Sequence, residues 1–301
     1  MKIDQYMDIK HRSNCSYCNS NKLEYLSYES TLKTIPAGLT RSNTEIFKGL
    51  RCRSCCTFFK KNTQDLSYKE DYSKSETYNS DHVLKEKLDE YPYSLEILNF
   101  LNLKPNSKIL EIGAGSGWLS RYLISNGHKD VLAIEKDEHY LSLIKKSGVK
   151  AKSEIPDSKF DVIIFVGLYE HLEDPIEFVH NLFSKHLEDM GQVFFQFPNP
   201  KSITALINPS GWDMLFEPGH IDMPSAKGLE KVFKNMKVEY RSSTITTRGR
   251  IPWFPMRIDP IEKKWLKLTS NFKLLARINK FLFQVQDIFN LGETLNVVLK
   301  K

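Results

Sequence analysis

Two groups of residues in this chain of 301 residues have the types and spacing that chemistry requires. The first is the run from Glu111 to Gly117, in which an acid stands in a short apolar stretch and three glycines follow at alternate positions. Glycines let the backbone approach a ligand closely, and the start of a following helix offers unpaired N–H groups. The pattern therefore indicates a site for a nucleotide-like cofactor.

The second group is four of the five cysteines, which form two Cys-x2-Cys pairs. Cys15 and Cys18 make the first pair, and Cys52 and Cys55 make the second after 33 intervening residues. Four thiolates can close a tetrahedral structural zinc site, and a reducing compartment argues against disulfides. Four unrelated buried thiols are the alternative interpretation. Cys56 is expected to be a bystander, although it could substitute as a ligand.

The glycines lie between a predicted strand and a predicted helix, and a second strand follows. Ile109–Ile112 is expected to be a buried strand, and a helix is expected over 117–126. The second strand, Val131–Ile134, is followed by Glu135, which lies 22 residues beyond Gly113. A carboxylate at that place can accept hydrogen bonds from both ribose hydroxyls of a nucleotide. A solvated acid at a strand end is the alternative.

Strands continue to alternate with helices through the rest of the central body. Further strands are predicted over residues 149–151, 160–166 and 191–198, and helices over 139–147 and 175–187. This order indicates a parallel sheet with helices on both faces, and ligands of such sheets lie beyond the carboxyl ends of the strands. Those ends carry Glu111–Gly117, Glu135, Gly167–His171 and Pro198–Asn199. One site is therefore expected to draw on all four segments.

These residues resemble the class I S-adenosylmethionine-dependent methyltransferases, and the resemblance covers residues 81–301. The matching segments are Glu111–Gly117, Glu135, Phe160–Ile163 leading to Glu170–Leu172, and Gly191–Val193 at the start of the fifth strand. The glycine spacing differs from the G-x-G-x-x-G of NAD dehydrogenases. The resemblance implies an α/β fold with a Rossmann-like seven-stranded sheet and transfer of a methyl group from S-adenosylmethionine.

The resemblance also implies which residues contact the cofactor. They are Glu111, Gly113, Ala114, Gly115, Gly117, Glu135, Gly167 and Leu168. The glycines are expected to approach the methionine part of the cofactor and Glu135 its ribose. Ser153 or Glu154, after the third strand, is the candidate for contact with the adenine.

Two histidines are candidate general bases, because an alcohol loses its proton as it accepts a methyl group. His171 follows the strand over 160–166, and His220 lies in the loop Pro218–Pro224 that should cover the pocket. Each could instead make a structural hydrogen bond that holds its loop. In the family that the chain resembles, the pair formed by Glu170 and His171 is frequently architectural, so His220 is the favoured base.

The chain is predicted to have two structured parts and a connector. Residues 1–62 form a small zinc-ribbon-like module, residues 63–80 a connector, and residues 81–301 the methyltransferase domain. In the fold of the family that the chain resembles, the last strand pairs beside the sixth, which implies an insertion over 245–292. Apolar residues at steps of three and four, flanked by lysines, predict that this insertion is helical. A cap packed on the domain, a dimer partner and a membrane-surface helix are the three interpretations of this insertion.

The distribution of charge leaves the partner open. Residues 1–80 hold 13 Lys/Arg and 9 Asp/Glu, and residues 236–301 hold 13 and 5, so the basic balance belongs to the two ends. Basic ends permit an anionic partner without requiring one. Bacterial methyltransferases that look like this chain, with a cysteine module in front, often modify sugars, polysaccharide precursors or natural products. The resemblance therefore implies a small-molecule acceptor, which could be phosphorylated, methylated on oxygen. Nucleic acid is not expected, and peripheral membrane contact through the basic C-terminal helix stays open.

Two other functions compete with methylation of a small molecule. An RNA methyltransferase could grip phosphates with the cysteine module and the basic ends, although no aromatic stacking motif or dense Lys/Arg cluster accompanies the cysteines. A non-catalytic scaffold could use the same parts to bind partners, although the intact glycine turn argues against it. With neither a secretory signal nor an apolar run long enough to span a membrane, the chain is expected to be cytoplasmic.

Overall fold

The computed structural model describes residues 13–29, 46–60, 101, 103–217, 219–243 and 285–301. The chain divides into two compact units. The cysteine unit comprises residues 1–64, 198–232 and 241–295, and the sheet unit comprises residues 65–197, 233–240 and 296–301. The predicted boundaries at residues 62 and 80, and most of the predicted insertion over 245–292, lie outside the described residues. No helix within the described ranges is long and apolar enough to cross a membrane.

The cysteine unit is built on a four-stranded sheet in the order β1-β2-β3-β9. β1 (Leu23–Glu29), β2 (Ile46–Cys52) and β3 (Phe58–Lys60) pair antiparallel within the N-terminal region. β9 (Asp222–Met223) joins the edge of β3, also antiparallel, from far along the chain. The sheet therefore combines the N-terminal region with a segment near residue 220.

The sheet unit contains a seven-stranded sheet in the order β10-β11-β8-β7-β4-β5-β6. Five of its strands pair in parallel, namely β4 (Ile109–Ile112), β5 (Val131–Ile134), β6 (Lys150–Lys152), β7 (Phe160–Val166) and β8 (Leu187–Pro198). β10 (Lys237–Ser243) and β11 (Thr294–Lys300) extend the sheet beyond β8. The predicted Rossmann-like sheet of seven strands is therefore confirmed.

Three helices connect the parallel strands. They are α1 (Trp118–Ser125) after β4, α2 (Glu138–Lys146) after β5 and α3 (Pro175–Asn181) after β7. Because parallel crossovers are right-handed and the strand order reverses at β4, α1 and α2 cover one face of the sheet and α3 the other. The strands at the reversal, β4 and β7, are neighbours. Ligands of such sheets bind beyond the carboxyl ends of the strands at this reversal.

The fifth parallel strand begins four residues earlier than predicted. A π-helical turn over Leu182–His186 follows α3, and β8 starts directly after it at Leu187. The pairing with β7 changes register, because Phe160 pairs with Leu187 whereas Val162 pairs with Gln192. The extra residues of β8 form a bulge there, which an alternating apolar pattern does not predict.

Between residues 203 and 232 the cysteine unit contains three short α-helices, namely α4 (Ile203–Ile207), α5 (Asp213–Phe216) and α6 (Ala226–Val232). A buried cluster joins α4 and α5 to the sheet of this unit and contains Phe47, Phe58, Ala205, Trp212, Leu215, Phe216 and Met223. Ser225 caps α6 by accepting the N–H of Gly228 at 3.2 Å. The core of the unit therefore takes side chains from two distant regions of the chain.

Candidate functional site

The glycine turn that follows β4 is held by backbone hydrogen bonds and left-handed dihedral angles. The N–H groups of Gly113 and Ala114 donate to the carbonyl oxygen of Ile134 at 2.9 and 3.0 Å, which ties the turn to the end of β5. Gly113, Gly115 and Gly117 have φ values of 69°, 54° and 74°. Residues with a side chain rarely adopt such values, so the backbone of the turn requires glycines.

Two of these glycines differ in their surroundings. A Cβ atom on Gly117 would lie 2.9 Å from Cγ1 of Ile144, so this glycine also allows close packing against α2. A Cβ atom on Gly115 would meet no atom of the described residues within 4 Å. Gly115 therefore borders a space in which a ligand could approach the backbone.

Glu135, at the end of β5, lies against the same turn. Its Oε2 accepts the N–H of Gly115 at 2.7 Å, and its Oε1 accepts the N–H of Asp137 at 2.9 Å. A carboxylate has about four acceptor sites, so capacity remains beyond these two bonds. The structure thus brings the acid predicted for the ribose to the glycine turn.

Gly167 and Leu168, which follow β7, reach the turn from the neighbouring strand. Gly167 has a φ of 65°, and its N–H donates to the carbonyl oxygen of Gln196 in β8 at 3.0 Å. The Cδ2 atom of Leu168 lies 3.3 Å from the position that a Cβ atom on Gly113 would take. The residues predicted to contact a cofactor after β4, β5 and β7 therefore form one cluster at the reversal of strand order.

Glu111 is the buried acid of the glycine motif, with an exposed fraction of 4%. The hydroxyl of Ser120 in α1 donates to its carboxylate and so ties the helix to β4. Burial raises the pKa of Glu111 to about 7, and the nearby charge of Glu135 adds to the rise. Glu111 therefore joins strand and helix beneath the turn, and its contact with a cofactor stays a prediction.

Two further polar residues at the turn are not among the predicted site residues. The Oγ of Ser116 is buried and has no hydrogen-bond partner among the described residues, so it can serve a polar group of a ligand. Asp137 caps α2 by accepting the N–H groups of His139 and Tyr140. The sequence signal for Ser116 is its place between two motif glycines, and that for Asp137 is its place before a helix.

The four predicted metal ligands form one cluster in the cysteine unit. The Sγ atoms of Cys15 and Cys55 lie 3.6 Å apart, those of Cys18 and Cys52 lie 3.5 Å apart, and all four lie within 4.8 Å of one another. A tetrahedral Zn²⁺ with Zn–S bonds of about 2.3 Å needs S–S separations of roughly 3.8 Å. The donor set and its spacing therefore fit one zinc ion.

The two Cys-x2-Cys turns are built alike. The N–H of Asn19 donates to the carbonyl oxygen of Cys15, and the N–H of Cys56 donates to that of Cys52, at 2.9 and 2.7 Å. Asn19 and Cys56 both have left-handed φ values, of 54° and 67°. Cys56 therefore closes its turn and lies outside the cluster. The hydrogen bond from the thiol of Cys15 lowers the pKa of Cys55, which favours the thiolate that a metal binds.

The two candidate bases belong to different units. His171 ends a 3₁₀ turn after β7 in the sheet unit, and its N–H donates to the carbonyl oxygen of Leu168 at 3.0 Å. His220 is 6% exposed in the cysteine unit, and its Nδ1 lies 2.8 Å from the carbonyl oxygen of Met214. Because a carbonyl only accepts, Nδ1 carries a proton, so Nε2 is the basic nitrogen of the neutral ring.

Known proteins show similarity to most of this chain. Phosphoethanolamine N-methyltransferase 3 of Arabidopsis thaliana is 24% identical over an alignment of 196 residues, and the match covers 59% of this chain and 38% of that relative. Among solved structures, a SAM-dependent methyltransferase from Archaeoglobus fulgidus is 15% identical with a TM-score of 0.48, covering 79% of this chain and 100% of that chain. Coclaurine N-methyltransferase bound to N-methylheliamine and SAH is 18% identical with a TM-score of 0.45, covering 73% and 71%.

A family model described as a methyltransferase domain matches residues 84–241, which is more than half of the chain. The match ends within β10 and contains the glycine turn, Glu135 and the residues that follow β7. The four clustered cysteines lie before it. With the strand order and the residues at its reversal, this match shows that the chain belongs to the methyltransferase-domain family, whose fold is the Rossmann-like fold of class I S-adenosylmethionine-dependent enzymes.

Proposed function

We propose that the protein transfers a methyl group from S-adenosylmethionine to an oxygen of a small molecule, such as a sugar, a polysaccharide precursor or a phosphorylated compound. The observation that supports the cofactor in this proposal is the placement of Glu135 against the three-glycine turn beside the reversal of strand order, and the acceptor is proposed from the family resemblance. That arrangement offers close backbone approach to one part of the cofactor and acceptors to its ribose.

The residues of the cluster would each hold a different part of the cofactor. The run Gly113–Gly117 would border the methionine part, and the buried hydroxyl of Ser116 would serve its polar groups. Glu135 would accept the ribose hydroxyls with its remaining acceptor sites. Ser153 and Glu154, exposed just beyond β6, are the candidates for the adenine. When bound, the cofactor would supply a methyl group that a nucleophile attacks in line, with S-adenosylhomocysteine as the leaving thioether.

The methyl acceptor can be found with a cofactor labelled in its methyl group. Purified protein is incubated with it and with separate panels of nucleotide sugars, polysaccharide precursors, phosphoethanolamine and RNA. Phosphoethanolamine is included because the curated relative is named for it. Label on a hydroxyl of a small molecule is expected. Label confined to an amine or to RNA would contradict the acceptor, and failure to bind S-adenosylhomocysteine in calorimetry would contradict the proposal as a whole.

His220 is the proposed general base for a hydroxyl acceptor. Its Nδ1–H is held by the carbonyl oxygen of Met214, so its Nε2 can take the proton that the acceptor loses. We expect His220→Gln to lower kcat by about 10²- to 10⁴-fold, the usual contribution of a general base, with unchanged affinity for S-adenosylhomocysteine. His139→Gln changes an exposed histidine of α2 and should keep the full rate. Full activity in His220→Gln would move the role to His171.

We also propose that Cys15, Cys18, Cys52 and Cys55 hold a structural Zn²⁺. The S–S separations and the two matched turns support this proposal. Four thiolates fill the tetrahedral shell, so the ion would have no open position for catalysis. Its effect would be to hold together a small region of the chain. One zinc per chain is the result expected from metal analysis.

A further inference from the structure

We propose that the cysteine module (residues 13–29 and 46–60), with its metal, positions the His220 loop (residues 212–217 and 219–225). The inference rests on the proposed function for the role of His220 and on the proposed zinc site. It assigns the N-terminal region a role in placing the acceptor-side base, although the region lies outside the matched methyltransferase domain.

The His220 loop joins the sheet of the cysteine module directly. β9, which begins two residues after His220, pairs antiparallel with β3. The backbone N–H of Lys60 donates to the carbonyl oxygen of Ile221 at 2.9 Å. The chain that follows the proposed base is thus a strand of the module's own sheet.

Two side-chain hydrogen bonds hold the loop on either side of the base. The Nζ of Lys60 donates to the carbonyl oxygen of Glu217, before His220, at 2.8 Å. The hydroxyl of Ser225, after His220, donates to the carbonyl oxygen of Cys55. Because Cys55 is one of the four clustered cysteines, the loop is bonded to the backbone of a metal-binding turn.

Close packing adds contacts with both cysteine turns. The ring centroids of Trp212 and Phe58 lie 6.0 Å apart, and Trp212 is fully buried. Gly228 is so close to the module that a Cβ atom on it would lie 2.9 Å from Oγ1 of Thr57 and 3.2 Å from Cβ of Tyr17. Tyr17 belongs to the first cysteine turn, and Thr57 follows the second. Both turns therefore support the segment around the loop.

The bound metal is therefore expected to keep the His220 loop in a single ordered conformation. Small modules with short strands depend on a bound metal for folding. Loss of the metal would loosen β3, and β9 would lose the strand with which it pairs. The bond between Met214 and His220, which fixes the tautomer of the base, lies inside the same loop. Lys60 and Ser225 are positioning residues in this scheme, because they act on the base only through the loop.

Hydrogen exchange on the full-length protein tests this coupling. Zinc is removed with a chelator, and amide exchange is compared with that of the zinc-loaded protein. We expect exchange over residues 219–225 to accelerate about tenfold or more, in step with residues 47–59, while β4 and α1 keep their rates. Faster exchange over 47–59 with unchanged exchange over 219–225 would overturn the proposal, as would purified protein without zinc.

Two milder variants test the same coupling with all four cysteines in place. Lys60→Met removes one hydrogen bond to the loop, and Ser225→Ala removes another together with the cap of α6. Lys48→Met, at an exposed lysine of β2, is the matched control for Lys60→Met. The readout is the ¹⁵N chemical shifts of the His220 ring, which report its tautomer. In the control, the shifts should report a ring protonated on Nδ1 alone. In both variants, they should report a mixture of the Nδ1–H and Nε2–H tautomers. An unchanged ring in both variants would overturn the proposal.

Binding of S-adenosylhomocysteine separates this inference from the proposed function. All residues predicted to contact the cofactor lie in the sheet unit, so affinity should stay within about twofold after removal of zinc. If the wild-type protein does not bind this ligand, the proposed function fails while hydrogen exchange still decides the coupling. If binding holds and residues 219–225 do not respond to zinc, only the coupling fails.

Discussion

The glycine turn and the two cysteine turns are all short and irregular, yet different interactions hold them. The glycine turn is bonded to Ile134 through its backbone and lies between strands whose side chains form a buried core. The cysteine turns also contain left-handed residues, Asn19 and Cys56, but they converge on four thiols. The glycine turn is held by bonds to the surrounding sheet, whereas the cysteine turns are proposed to depend on a structural metal.

This difference predicts opposite responses to mutation. The glycine turn should tolerate loss of its ligand, because its backbone N–H groups bond to Ile134 and Glu135, and it should respond to added atoms. The cysteine module should tolerate many changes at its surface and respond strongly to loss of one ligand atom. The following variants test this contrast, beginning with the largest expected effect.

The largest effect is expected from Cys52→Ser, which removes one of the four clustered thiols. Cys52 is fully buried, and structural zinc contributes about 10–16 kcal/mol of apparent binding energy to small modules. We expect the variant to lose zinc and the thermal transition of the cysteine unit, while the transition of the sheet unit remains. Cys56→Ser, at a turn position outside the cluster, should keep one zinc per chain. Equal zinc content in the two variants would contradict the assignment of Cys52 as a zinc ligand.

In the sheet unit, Glu135→Ala should cause the largest loss of cofactor affinity. It would remove the two proposed charge-assisted hydrogen bonds to the ribose, at about 1.5–3 kcal/mol each, so affinity for S-adenosylhomocysteine should fall roughly hundredfold or more. Because Glu135 also accepts the N–H groups of Gly115 and Asp137, thermal unfolding is measured in parallel. Glu138→Ala changes an exposed acid of α2 and should bind normally. Unchanged affinity in Glu135→Ala would exclude contact with the ribose.

Glu111 should make the stability of the sheet unit depend on pH. Burial raises its pKa from 4.5 to about 7 in the folded protein, whereas it stays near the lower value in the unfolded chain. Between these pH values the folded protein holds one more proton, so raising the pH favours unfolding. Stability that is fully present below the lower pKa is lost as the pH rises to the higher one, by about 3 kcal/mol in total.

Glu111→Gln should remove this dependence, because the amide has no proton to lose in this range. Urea unfolding followed by circular dichroism is measured at a series of pH values from about 5 to 8. The free energy of unfolding of the wild-type protein should fall relative to that of the variant as the pH rises. Glu138→Gln is the control and should run parallel to the wild-type protein. If the free energy of unfolding of Glu111→Gln changes with pH in the same way as that of the wild-type protein, burial does not raise the pKa of the Glu111 carboxyl.

The core of the sheet unit could be predicted from the sequence because its signals are local. Ile109–Ile112 and Val131–Ile134 are apolar runs of strand length, and the observed strands have the predicted bounds. Parallel order alone then places Gly113, Glu135 and Gly167 at one edge of the sheet. The earlier start of β8 could not be predicted, because a bulge depends on the partner strand.

The cysteine unit could be predicted only in part, because its deciding contacts join distant parts of the chain. Cysteine spacing predicts the four ligands, since the pattern needs only their positions. A strand of two residues, Asp222–Met223, carries no periodicity, and its pairing with β3 arises from tertiary contact. The hydrogen bond between Ser225 and Cys55 also joins residues far apart in the sequence and arises from tertiary contact. The association of the cysteine module with the His220 loop could therefore be recognised only from the structure.

The smallest effects are expected from two glycines of the turn. Gly115→Ala and Gly117→Ala place a side chain on backbones with φ of 54° and 74°, at a cost of about 1–2 kcal/mol each. The backbone strain is therefore similar in the two variants. The surroundings differ, because a Cβ atom at Gly117 would lie 2.9 Å from Ile144, whereas one at Gly115 would meet no described atom within 4 Å.

The two alanine variants should therefore lower different properties. Gly117→Ala should lower the melting temperature more, because overpacking against Ile144 adds to the strain. Gly115→Ala should lower the affinity for S-adenosylhomocysteine more, because its methyl group would enter the space left for the ligand. Thermal melting and calorimetry on both variants measure the two effects. If Gly115→Ala binds the ligand as the wild-type protein does, the space beside Gly115 is not where the cofactor lies, and the backbone of the turn requires its glycines for folding alone.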